Sequence, residues 1–317
     1  MSAPLIIALP SKGRLKEQAE AWLSDCGFEL SGAGGRGYNA GITGLPGAQV
    51  QFLSASAIAG ALEAGDVHLG VTGEDLLREL GEAIDAKVML LRALGFGRAD
   101  VVVAVPQSWL DVETMDDVEA VAQAYMARTG GRLRVATKYA VLTRAFFARA
   151  GIADYRIVAS EGATEGAPAA GAAELIVDIT TTGATLAANH LKVLADGVIL
   201  KSQAQLCAAL SARWSAHQLG AARRLLSVLE ARARAKRQAT LVWPAEQDAA
   251  AQAPTEPFVE GGASRRANGM LLDTRDLFDA GQALAAAGIG PVTAARPDYV
   301  FAPECLAADR LETALRL

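Results

Sequence analysis

Residues 174–186 read Glu-Leu-Ile-Val-Asp-Ile-Thr-Thr-Thr-Gly-Ala-Thr-Leu. Leu175, Ile176 and Val177 form the short apolar run of a buried strand, and Asp178 closes it. Thr180, Thr181, Thr182, Gly183, Ala184 and Thr185 then offer hydroxyls, a glycine and backbone N–H groups, and residues 186–194 read as the first turns of a helix. A strand, a Thr/Gly loop and a helix start together make a cradle for an anion such as phosphate. The plainer alternative is a strand-to-helix turn with a threonine cap.

Five further loops carry residues that could do chemistry, most of them at the ends of short apolar runs. Pro10-Ser11-Lys12-Gly13-Arg14-Leu15 places two cations and a glycine at a helix start, where acids are the ordinary choice. Lys12 and Arg14 suit a phosphate, Arg14 bidentately. Gly70-Val71-Thr72-Gly73-Glu74-Asp75 opens a helix with acids, which either cap it or bond a ribose or base edge. Ala136-Thr137-Lys138-Tyr139 suits a phosphate at Lys138 and a planar base against Tyr139, or is a surface lysine beside a half-buried tyrosine. Gly95-Phe96-Gly97-Arg98 reads as a hinge or a close-approach bend. Glu161 to Glu165 form a polar loop in which Glu165 suits a hydroxyl or a metal-bound ligand, or is simply solvated.

The elements that must position these loops alternate. Apolar runs at 5–9, 50–53, 69–72, 88–91, 101–105, 133–136 and 155–158 read as strands, and 16–26, 56–64, 74–79, 115–129 and 139–150 as helices. Ser54 or Ser56 caps the second helix. Such alternation predicts an α/β fold with mostly parallel sheets, whose ligands sit at the C-terminal ends of strands. Residues 32–47 are Gly-rich turns. Residues 218–237 are strongly helical and basic, 245–266 read as flexible or irregular, and strand, helix and strand follow at 270–273, 277–287 and 292–294.

With 317 residues, 51% of them hydrophobic and 21% charged, the chain can bury a large core and makes about two domains. A net charge of −5 argues against a nucleic-acid binder. The scattered Cys26, Cys207 and Cys305 and the separated His68, His190 and His217 give neither a zinc spacing nor a disulfide framework. No stretch of about 18 uncharged apolar residues spans a membrane, and the start lacks a secretory pattern, so a cytoplasmic protein is expected. There is no Ser/His/Asp grouping, P-loop or dinucleotide fingerprint. A phosphate-rich ligand held by several separate loops fits best.

Taken in order, Ala8-Leu-Pro-Ser-Lys-Gly-Arg-Leu15, Leu69-Gly-Val-Thr-Gly-Glu-Asp75, Leu94-Gly-Phe-Gly97, Ala136-Thr-Lys-Tyr139 and Val177-Asp-Ile-Thr-Thr-Thr-Gly-Ala-Thr-Leu186 resemble the ATP phosphoribosyltransferases of histidine biosynthesis over residues 4–210. The resemblance implies a two-lobed α/β core like that of periplasmic binding proteins, with lobe I at 1–98 and 188–215 and lobe II at 99–187. It implies ATP and 5-phosphoribosyl 1-pyrophosphate as substrates, N1-(5-phosphoribosyl)-ATP and pyrophosphate as products, and Mg2+. Asp178, Thr180, Thr181, Thr182, Gly183, Ala184 and Thr185 would then hold the phosphoribosyl donor, with Asp178 also contacting magnesium through substrate. ATP would meet Lys12, Gly13, Arg14, Thr72, Gly73, Asp75, Lys138, Tyr139 and Glu165. The catalytic group would be Asp178, Lys12 and Arg14.

Ser54-Ala-Ser-Ala-Ile-Ala59 stands where the family often has Arg-x-x-Asp-Ile-Pro. That resembles the short-form branch, which works with a histidyl-tRNA-synthetase-like regulatory subunit. Residues 225–317 instead resemble, weakly, the ferredoxin-like histidine-binding domain of the long form, notably at Leu277-Phe278 and 284–290. A regulatory-type module open to histidine feedback and an oligomerisation module are both open, and a homo-oligomer is expected. The rivals are a two-lobed solute-binding protein and a purine- or orotate-type phosphoribosyltransferase, whose donor loop has two adjacent acids where this chain has Val177-Asp178.

Overall fold

The structure is a computed structural model, and it describes residues 3–31, 39–160 and 162–315. The turns expected at 32–38, and Glu161, lie outside the described residues. The chain divides into two compact units, the first running to Leu219 and the second covering Gly220–Thr313.

The first unit holds two mixed sheets. One contains β1 (Leu5–Pro10), β2 (Leu30–Ser31), β3 (Asn39–Ile42), β4 (Ala48–Leu53), β5 (Leu69–Gly73), β6 (Val88–Ala93) and β12 (Ala204–Ala209), in the order β2-β3-β4-β1-β5-β12-β6. The other contains β7 (Asp100–Pro106), β8 (Leu133–Thr137), β9 (Tyr155–Ala159), β10 (Leu175–Thr180) and β11 (Leu191–Leu200), in the order β11-β7-β10-β8-β9. β1 runs parallel to β4 and β5, and β8 parallel to β9 and β10. β12 and β7 pair antiparallel with both of their neighbours, so the sheets are mixed and not mostly parallel.

The local chemistry of the elements is ordinary. In β7, Val101, Val103 and Val105 enter one core and Val102 and Ala104 the other, which is why both faces of that strand are apolar. Helix α1 (Gly13–Asp25) follows β1 and buries Ala19 and Leu23. α2 (Ala55–Ala64) is capped by Ser54, whose hydroxyl accepts from the Ala57 N–H at 3.2 Å. α3 (Glu74–Arg78), α4 (Met115–Thr129) and α5 (Ala140–Arg149) follow β5, β7 and β8.

The chain crosses between the sheets twice, at residues 94–99 and 201–203. The crossings are tied together by Leu94 N–H to Ala204 O at 3.0 Å, Ala204 N–H to Phe96 O at 3.0 Å, and Ala99 N–H to Ser202 O at 3.1 Å. Gly97 lies between them at φ +62°, where a Cβ would also come within 2.9 Å of Leu15. The bend expected at 95–98 is thus part of a crossing between the sheets, with a close approach to Leu15 at Gly97.

Two sequence expectations give way here. The helix expected over 186–194 is only α6 (Ala184–Ala188), after which the chain turns straight into β11. Because β11 pairs with β7, the return to the first sheet comes at 201–203 and not at 188. The apolar spacing at 191–194 suits either a helix or a strand, and pairing with β7 makes it a strand.

The second unit has an antiparallel sheet of β13 (Gln238–Val242), β14 (Ser264–Arg266), β15 (Gly269–Asp273) and β16 (Thr293–Ala295), in the order β14-β15-β13-β16. α7 (Ala216–Ala235) leads into it, and its core gathers Leu241, Trp243, Ala251, Met270, Ala280 and Leu284. Residues 245–266 are not irregular. They contain α8 (Gln252–Glu260) and β14, held by Arg265, which donates to Thr255 Oγ1 at 2.6 Å and to Asp248 Oδ1 at 2.9 Å. α9 (Leu277–Ala286) and α10 (Leu306–Leu315) complete the described elements.

Candidate active site

A cleft of about 610 Å3 opens within the first unit, at the ends of β5, β8 and β10 and beside the 94–99 crossing. Its cations are Arg14, Arg98 and Lys138. None of these makes an ion pair among the described residues, whereas Arg78, Arg134, Arg223 and Arg265 are all paired with acids. Arg14 belongs to the first turn of α1, where the helix dipole disfavours a cation. Lys12 is exposed at the cap of the same helix and makes no side-chain capping bond. Unneutralised cations at such a position, in a chain of net charge −5, fit an anionic ligand.

The cleft's acid, Asp75, is 5% exposed and held from three directions. Tyr139 donates its hydroxyl to Oδ2 at 2.6 Å, Ser202 donates to Oδ1 at 2.8 Å, and the Asp75 N–H donates to Ser202 Oγ at 3.0 Å. Burial, and then the charge of Asp75, push the Tyr139 phenol well above its ordinary value, so it remains a donor. Glu79, at the end of α3, accepts from the Val141 and Leu142 N–H groups at 2.9 and 3.1 Å, capping α5 on the other lobe.

Of the residues singled out in the sequence, the cleft brings together Arg14, Gly73, Asp75, Lys138, Tyr139 and Thr181. Two of the expected ATP contacts need correction. Tyr139 is 1% exposed with the Lys138 ammonium 4.9 Å from its ring centroid, so it presents no open face to a base. Thr72 is fully buried and donates to Ala55 O at 2.7 Å, bracing α2 against β5. Lys12, Gly13 and Glu165 do not line the cleft wall, and of the expected donor loop Asp178, Thr180, Thr182, Gly183, Ala184 and Thr185 do not line it either. Gln18, Phe96 and Gly97 do. Gln18, one helical turn after Arg14, was visible only as a polar position on α1.

The 178–185 loop is more self-contained than its composition suggested. Asp178 Oδ1 accepts from the Ile179 N–H at 2.8 Å, Thr180 Oγ1 from the Gly183 N–H at 2.9 Å, and Thr182 Oγ1 from the Ala184 N–H at 3.4 Å. Thr181 donates to Arg98 O at 3.0 Å, tying the loop to the crossing. Gly183 is left-handed at φ +77°. With α6 only five residues long, the cradle rests on loop groups and not on a helix dipole. Ile179 and Thr181 line the cleft, and strand alternation puts Asp178 on the opposite face of β10. Burial pushes the Asp178 carboxyl above its usual value and Glu165 adds to this, while the Ile179 N–H and Lys138 pull it down.

The pattern of separate cationic and hydroxyl loops matches a known family. Residues 54–231 match the family model HisG: ATP phosphoribosyltransferase. The ATP phosphoribosyltransferase of Caulobacter vibrioides (strain NA1000 / CB15N) is 67% identical over 317 residues, covering 100% of this chain and 99% of its own. This chain belongs to the ATP phosphoribosyltransferase family. A second ATP phosphoribosyltransferase, from Bradyrhizobium sp. (strain ORS 278), is 49% identical and covers 100% of both chains. The solved ATP phosphoribosyl transferase (HisG:HisZ) complex from Thermotoga maritima matches 71% of this chain and 98% of its own, with TM-score 0.53 and 24% identity, a likeness of fold.

As an ATP phosphoribosyltransferase, the chain condenses ATP with 5-phosphoribosyl 1-pyrophosphate in histidine biosynthesis. The readings as a solute-binding protein or a purine-type phosphoribosyltransferase are set aside. No described helix is long and apolar enough to cross a membrane.

Proposed function

We propose that the cleft described above is the active site, with ATP held on the side of Arg14, Asp75 and Lys138 and the phosphoribosyl donor on the 178–185 loop. The observation that carries this is the gathering of three cations without ion pairs among the described residues, in a cleft that Ile179 and Thr181 of the threonine loop also line. Adenine N1 attacks the ribose C1 with its own lone pair, so the chain supplies no base. Positive charge grows at the ribose carbon as pyrophosphate leaves. Asp178, on the face of β10 away from Ile179, would meet the ribose only over the loop end of the strand, facing that charge or holding the ribose hydroxyls, while Arg14 and Lys138 in the cleft and Lys12 on the exposed cap of α1 offset the charge of the phosphates. Asp75 accepts a hydrogen bond from the nucleoside of ATP. The remaining work is alignment of two substrates.

Magnesium fits this donor set as a substrate-borne ion. No group of three or more His, Cys, Asp or Glu is gathered for a metal among the described residues, and Mg2+ bound with phosphates needs only one or two protein carboxylates. Asp178, with Glu165 close enough to raise its pKa, is the pair that would hold it. When bound, it would neutralise the leaving pyrophosphate.

The second unit, carried in the same chain, supports a regulatory or assembly role in cis, with histidine as the candidate inhibitor and a separate regulatory subunit as the alternative. Work on two phosphorylated metabolites assigns the enzyme to the cytoplasm. Pyrophosphate release by the purified chain, with and without histidine, tests these readings. Turnover by the chain alone is expected, and its absence would require the separate subunit.

A further inference from the structure

We propose that Ser202 is a positioning residue for the ATP half of the reaction, acting through Asp75. This rests on the reading of Asp75 as an acceptor for the nucleoside. Ser202 lies on the return crossing between the two sheets, remote in sequence from every loop that carries a phosphate-type motif. It is 3% exposed and does not line the cleft, so it cannot reach substrate itself. Its one hydroxyl serves Asp75 twice, donating to Oδ1 at 2.8 Å and accepting from the Asp75 N–H at 3.0 Å. That pair of bonds fixes both the backbone and the carboxylate plane of the same residue.

Tyr139 supplies the bond to the other oxygen, at 2.6 Å, from the opposite lobe. The carboxylate is therefore set by one donor on the crossing and one donor across the cleft. Each oxygen keeps a second lone pair for a substrate N–H or O–H. Losing the Ser202 bond frees the carboxylate to rotate, and a buried acceptor misaligned by rotation loses much of a directional bond. Ser202 is held beside Asp75 from the first sheet, because the neighbouring Gln203 O accepts from the Glu74 N–H at 3.1 Å and Ala204 pairs with Gly73. The other function consistent with these bonds, simple capping of α3, would act on folding and not selectively on ATP.

The test is steady-state kinetics on the full chain for Ser202→Ala, Ser202→Thr, Asp75→Asn and the Ser202→Ala/Asp75→Asn double variant, with melting temperatures alongside. Ser202→Ala is expected to raise KM for ATP about tenfold, with KM for the phosphoribosyl donor changed less than twofold. Ser202→Thr, which keeps the hydroxyl, restores most of the loss. In the Asp75→Asn background, Ser202→Ala has a smaller effect on KM for ATP than in the wild type, because only a neutral amide is left for Ser202 to hold. Equal rises in both KM values, or additive effects in the double variant, overturn the proposal. If Asp75→Asn raises KM for ATP and Ser202→Ala does not, only the role of Ser202 falls. If Asp75→Asn leaves KM for ATP unchanged, the assignment of Asp75 falls and this proposal with it.

Discussion

Asp178 is under two opposed demands. Burial disfavours its charge, yet the role proposed for it beside the ribose carbon needs that charge. Its folded-state pKa is raised, so the cost of holding it ionised is fully present above that value and disappears below the ordinary carboxylate value. Asp178→Asn is therefore expected to lower turnover by about 100-fold while raising the melting temperature at neutral pH. The gain closes as pH falls through the raised value and then the ordinary one. Pyrophosphate release checks the first effect and melting curves at several pH values the second. Gly183 illustrates a different constraint. Its φ of +77° is open to glycine and strained for a β-branched residue, although nothing lies within 4 Å of a built Cβ. Gly183→Val is expected to cost about 1–2 kcal/mol of local strain and to raise KM for the phosphoribosyl donor more than KM for ATP.

At the scale of elements, the loops are only as well placed as the strands that end in them. β8 and β10, which deliver Lys138 and Asp178, are joined by Glu174. It accepts from the Arg134 backbone N–H at 2.7 Å and from the Arg134 guanidinium at 2.5 and 3.1 Å. Burial alone would raise the Glu174 pKa, but the hydrogen bonds and charge of Arg134 outweigh it and hold the carboxyl below its usual value. That stabilisation is present above the ordinary carboxylate pKa and is lost as pH falls through the lowered one. Glu174→Gln is expected to lower the melting temperature by roughly 2–4 °C at neutral pH, with the difference from wild type vanishing in acid. Thermal scans at neutral and acidic pH check this. Sequence periodicity does not single out Glu174, because its partner is forty positions away in the chain.

For the whole molecule, two sheets joined by two crossings place a cationic cleft between loops from both lobes. Because Arg14, Arg98 and Lys138 have no ion pairs among the described residues, KM for ATP is expected to rise with ionic strength, by several-fold between about 0.05 and 0.5 M salt as the Debye length shortens. Kinetics in a salt series at constant magnesium measure it. The second unit has its own core around Trp243, which is 2% exposed and donates its indole N–H to Asp248 at 3.1 Å. Trp243→Ala is expected to destabilise that unit by about 3–5 kcal/mol, seen as early loss of hydrogen-exchange protection in β13 and β15.

The chain's alternating apolar runs and its short loops of Lys, Arg, Thr and Gly were enough to determine an α/β core and most of its strands up to β10, though not β2 or β3, and to point to a phosphate-type ligand. These are local signals, set by side-chain periodicity and by residue types that few other functions require. Pairing, direction and burial came only with the tertiary structure. Residues 191–200 became a strand because β7 offered an edge. Tyr139 and Thr72 turned inward because Asp75 and the Ala55 carbonyl were there to satisfy them. Ser202 carries no signal of its own in sequence. Its meaning arises from a hydroxyl placed beside a carboxylate 127 residues away, and a buried polar group is defined by its partner, which spacing along the chain does not encode.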